Sequence, residues 1–76
     1  MTTQDYAMAG YDNRTSECPP YDSSTFGMAF NVGVWCKANG ILPQEVKPSR
    51  GYTWIINRAI KVKFTFNRQG HTIARI

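Results

Sequence analysis

Eight of the nine cationic side chains stand in the second part of the chain, at Lys37, Lys47, Arg50, Arg58, Lys61, Lys63, Arg68 and Arg75. Up to Phe30, Asp5, Asp12, Glu17 and Asp22 face only Arg14, a net charge of −3; from Asn31 onward those eight bases face only Glu45, a net charge of +7. Such asymmetry is a cue for a polyanionic partner, because clustered ammonium and guanidinium groups neutralise phosphates. Other chemistry is scarce. Cys18, Cys36 and His71 lack the paired close spacing of a zinc site, and two cysteines do not make a disulfide framework. Two reduced thiols are expected, with Cys36 packed as a small apolar residue. No glycine-rich phosphate loop, carboxylate pair or nucleophile elbow is present. His71 follows Gly70 with no acid nearby in sequence, so no enzyme, metal or cofactor is expected.

These residues must be positioned by one small domain. Seventy-six residues bury only about 60% of the unfolded chain's surface, which disfavours a deep water-excluding pocket. No apolar run approaches the roughly 20 residues of a membrane span, and Met1 to Asp5 does not read as a signal peptide. Hydrophobic content of 42% nonetheless calls for a packed core.

Residues 1–22 carry Gly10, Asp12-Asn13, Pro19-Pro20 and Asp22 with weak periodicity, and are expected to be loosely structured with at most a short helix over Asp5 to Gly10. Residues 23–76 form the expected domain. Ser23-Ser24-Thr25 offers N-caps, and the apolar run to Cys36 has helical spacing on two faces. Asn39-Gly40 tolerates the left-handed conformation that ends a helix. Gly27 and Gly33 each cost about 1 kcal/mol relative to alanine, so packing must hold this helix. Asn31, Lys37 and Val34 are the positions left to face a partner.

Beyond Pro43 the period changes to two. Gln44–Lys47 and Tyr52–Ile56 read as strands flanking Pro48-Ser49-Arg50-Gly51, which has proline early and glycine late as a tight turn requires. Ile60, Val62, Phe64 and Phe66 alternate with Lys61, Lys63, Thr65 and Asn67, a half-buried strand with a cationic outer face. Asn67 to Gly70 turns the chain into a last segment ending at Ile76. Tyr52, Trp54, Phe64 and Phe66 are expected in the core rather than as a platform for stacking bases.

The helix ending in Trp35-Cys36-Lys37-Ala38-Asn39-Gly40-Ile41-Leu42-Pro43, then Val46-Lys47-Pro48-Ser49-Arg50-Gly51-Tyr52-Thr53-Trp54, then Ala59-Ile60-Lys61-Val62, resembles the lambdoid phage excisionases. The match in order and spacing runs from about Val32 to Val62, with one residue inserted near Ile55 to Asn57. Basic residues before the tryptophan are missing, since Gly33 and Val34 stand there, and the family's first helix is not recognisable in residues 1–21. The resemblance implies a small α+β winged-helix fold of the MerR-like type, with a recognition helix and a β-hairpin wing. It implies double-stranded DNA of an attachment-site arm, a tyrosine integrase and further copies of the chain as partners, in the cytoplasm of a bacterial host. DNA would be bound and bent so that recombination runs towards excision. On this reading Asn31 reaches an adenine edge from the helix and Lys37 a phosphate or a guanine acceptor, Arg50 enters the minor groove from the wing, and Lys47, Ser49, Arg58, Lys61 and Lys63 neutralise phosphates. A winged-helix regulator of transcription, a phage inhibitor of a host protein and a single-strand binder are the alternatives.

Overall fold

Two helices cover one face of a four-stranded antiparallel sheet in a computed structural model that describes residues 1–76. Helix α1 (Thr3–Tyr11) is followed by a single 3₁₀ turn (Thr15–Glu17), helix α2 (Thr25–Ala38), and strands β1 (Val46–Pro48), β2 (Thr53–Ile56), β3 (Ile60–Asn67) and β4 (Gly70–Arg75). The strands form a meander in the order β1-β2-β3-β4. No helix is long and apolar enough to cross a membrane.

The expected α2 is present with its signals in use. The Ser24 hydroxyl accepts from the Gly27 N–H at 2.9 Å. At the other end, Gly40 takes φ +69° and donates to Lys37 O, while Ile41 N–H donates to Cys36 O. These two bonds make a Schellman motif, which satisfies carbonyls that a helix end leaves bare.

Within residues 1–22, the short helix expected over Asp5 to Gly10 is present as α1 and runs longer, from Thr3 to Tyr11. Thr2 caps α1 by accepting from Asp5 N–H while the Asp5 carboxylate accepts from Thr2 N–H, a reciprocal box that also holds the Asp5 carboxyl below its ordinary range. Ala7, Ala9 and Gly10 are buried, and small residues here let the two helix backbones approach closely. A Cβ placed on Gly33 would lie 2.8 Å from Ala7 C and Tyr11 N, and closer still to the Ala7 oxygen. Gln4 ties α1 to the far end of the fold, donating to Pro43 O and accepting from Val46 N–H.

The core lies between α2 and the sheet. Val32 and Cys36 meet Val46, Trp54, Ile56, Val62 and Phe64, with Ala7 entering from α1. Of the four aromatics expected inside, Trp54 and Phe64 are buried and Phe66 is half-buried, whereas Tyr52 is exposed and meets Phe66 edge-on at 5.0 Å.

Both cysteines are free, Cys18 exposed and Cys36 buried. Burial pushes the Cys36 thiol up from 9.0 to about 11. The native state therefore favours the protonated thiol. Its contribution to stability is whole below about pH 9 and is lost as the pH climbs towards 11. In a native alkylation time course at neutral pH, Cys18 is expected to react at once and Cys36 only as fast as the chain unfolds. Equal rates at both sites would contradict the burial of Cys36.

Candidate nucleic-acid interface

The alternation of β3 sends Val62 and Phe64 into the core and Lys61, Lys63 and Thr65 to the opposite face. Pairing extends that face across the sheet. Lys47, Ile55 and Lys61 form one row, Thr53, Lys63 and Ala74 the next, and Thr65 with Thr72 a third. Three lysines thus share one exposed surface, with a single acid, Glu45, at its β1 margin 3.7 Å from Lys47 Nζ.

The other acids are elsewhere, and all five are already engaged. Asp12 and Glu17 bind Arg14, Asp22 meets His71, and Asp5 caps α1. Glu45 receives the Arg58 guanidinium at 3.3 Å and Lys47 Nζ at 3.7 Å, and the Arg58 hydrogen bonds chiefly hold its carboxyl below the ordinary range. Arg50, Lys61, Lys63, Arg68 and Arg75 have no carboxylate partner within the chain.

The meander decides which turns lie together. The β1–β2 loop, with Ser49 and Arg50 exposed, stands at the same end as the β3–β4 turn, which carries Arg68. Sequence reading missed Arg68, although an even number of strand reversals between the two turns was the signal that would have paired it with Arg50. Arg58 projects from the β2–β3 turn at the opposite end, where Asn57 and Arg58 both take positive φ, 53° and 63°. Asn57 holds that turn by donating to Leu42 O and accepting from Glu45 N–H.

The predicted set is therefore split. Lys47, Lys61 and Lys63 share the outer sheet face, with Ser49 and Arg50 at its margin. Asn31 and Lys37 lie on α2, across the core from that face. The Asn31 amide donates to Gly27 O at 3.0 Å and to Asp22 Oδ1 at 3.5 Å, so both of its hydrogens are in use. Lys37 stands over the Tyr11 ring, 4.9 Å from its centre, beside a shallow groove between the helices. His71, which has no acidic neighbour in sequence, has Asp22 Oδ2 2.8 Å from its Nδ1. No group of three or more His, Cys, Asp and Glu side chains is arranged to hold a metal ion.

No family model, no curated protein and no solved structure matches the chain.

Proposed function

We propose that this chain binds double-stranded DNA through the outer face of its sheet rather than through α2. The observation that carries this reading is the shared outer face of Lys47, Lys61 and Lys63, bordered by the unpaired Arg50 and Arg68. Lys61 and Lys63 have no carboxylate partner there, and Lys47 has only Glu45 at 3.7 Å. Strands about 4.8 Å apart make four of them about 14 Å wide between outer axes, more than the roughly 12 Å of a major groove. The sheet therefore lies across the phosphate backbone, giving affinity that is largely independent of sequence. The β1–β2 loop takes the place of the wing, and Arg50 at its tip supplies whatever groove contact the domain makes.

The finer role, binding and bending attachment-site DNA beside a tyrosine integrase, rests on the excisionase resemblance of residues 32–62 alone. Its test is a recombination assay with a tyrosine integrase and its attachment-site DNA, in which a regulator of transcription would leave excision unaffected.

The test of DNA binding is its dependence on salt. Each phosphate neutralised contributes about −0.9 to the slope of log K against log salt concentration, so four to five contacts predict a slope near −4. The variant Lys47→Ala/Lys61→Ala/Lys63→Ala is expected to flatten that slope by about 3 in fluorescence anisotropy with a short duplex. Lys37→Ala is expected to leave it unchanged. A flat response in the parent protein would overturn the reading in favour of a protein partner.

A further inference from the structure

The two edges of the sheet are finished in opposite ways. In β1 the ladder to β2 uses the residues in register with Glu45 and Ser49, since Asn57 N–H donates to Glu45 O and Ser49 N–H to Thr53 O. Val46 and Pro48 therefore face outward. Val46 N–H is taken by Gln4 Oε1 at 2.9 Å, and Pro48 has no N–H to offer. That edge has no backbone donor left for another strand.

At the other edge, Ile76 N–H donates to Lys61 O at 2.9 Å, and with Val62 opposite Arg75 this fixes the parity of β4. Gly70, Thr72 and Ala74 turn their amides towards β3, while His71, Ile73 and Arg75 turn theirs outward, where nothing in the chain receives them. All six residues pair with β3 without a bulge, and none is proline or lysine, the devices that usually blunt an edge.

We propose that a second copy of this chain pairs with β4, antiparallel, about a two-fold axis through Ile73. Opposed residues in an antiparallel pair share a face. The register that sets Ile73 against itself also sets His71 against the partner's Arg75, so every outward backbone group on both strands finds a mate. The contact is isologous, as a two-fold dimer requires.

Two further observations choose a second copy over an unrelated peptide. The first is charge. Arg75 has no acidic partner in its own chain, and the register brings it opposite His71, beside the Asp22 carboxylate held 2.8 Å from Nδ1. The second is shape. On the helix side Ile73 lines a groove of about 220 Å³ with Asn31, Val34 and Trp35, whose mouth the partner's Ile73 would cover. Val34, 43% exposed, is the apolar surface left waiting there. On the outer face the seam pairs Thr72 with Ala74, so no like charges oppose and two lysine surfaces become one. The dimer forms without nucleic acid and does not depend on the DNA-binding reading.

Sedimentation equilibrium from about 10 µM to about 1 mM protein, without DNA, tests it. A monomer–dimer equilibrium is expected, with amide exchange at Ile73 and Arg75 slowing as concentration rises. Arg75→Glu and Asp22→Lys, each checked for an intact fold by circular dichroism, should each weaken the dimer about 10-fold. The double variant, in which the charges are exchanged, should recover most of that loss. A chain that stays monomeric with concentration-independent exchange overturns the proposal, and so does a double variant no better than the single ones.

Discussion

Gly33→Ala is expected to lower the unfolding free energy by about 3 kcal/mol, at the upper end of overpacking costs, despite improving the intrinsic helix propensity of α2 by about 1 kcal/mol. The added methyl has no flexible neighbour to displace. It would point at the Ala7 carbonyl and the Tyr11 amide of α1, both backbone, and neither can rotate aside. Only separation of the two helices makes room, and Ala7, which reaches the core from α1, moves with them. A domain of 76 residues holds about 4–11 kcal/mol in all, so the variant should melt within a much lower urea range. Gly40→Ala is the control. A Cβ there meets nothing within 4 Å, and the only cost is the left-handed φ of +69°, about 1 kcal/mol. A Gly33→Ala protein as stable as its parent would mean that the helices do not cross as closely as described.

That crossing explains which parts of the fold could be read from the sequence. The N-cap at Ser24, the Asn39-Gly40 stop and the strict alternation of Ile60 to Asn67 are local signals, and each sits where its chemistry puts it. Helix α1 sends no such signal. Its buried residues are Ala7, Ala9 and Gly10, too small to mark an apolar stripe, because α1 packs by backbone proximity rather than by large side chains. The Thr2–Asp5 capping box was nevertheless legible, and a reading that weighed caps before hydrophobic periodicity would have found it.

The candidate site divides in the same way. Lys61 and Lys63 follow from a period of two, and register brings Lys47 to them. Asn31 cannot be judged from α2 alone, since Asp22, nine residues earlier, and its own helix occupy its amide. Pairings such as Asp22 with His71, 49 residues apart, exist only once the chain has closed around its core. Charge sign could be read along the chain; which charges remain free could not.

Trp54→Ala is expected to cost about 3–5 kcal/mol and to leave little of the native state at room temperature. Trp54 is fully buried in β2, between Pro48 on one neighbouring strand and Val62 on the other, and it touches the same core as Val32 and Cys36. Trp35, at the end of α2, is only half-buried, packed against the core from the groove beside β4. Trp35→Ala should accordingly cost less, about 1–2 kcal/mol. Trp54→Phe separates shape from polarity. The indole Nε1–H of Trp54 has no acceptor, a buried donor whose desolvation costs about 1–3 kcal/mol. Phenylalanine removes that donor while giving up part of the ring, so the two effects offset and the net change should stay within about 1 kcal/mol. Urea titrations of the three variants, followed by far-ultraviolet circular dichroism, give the order directly. A larger loss for Trp35→Ala than for Trp54→Ala would place the centre of the core on the helix side of the groove and not in the sheet.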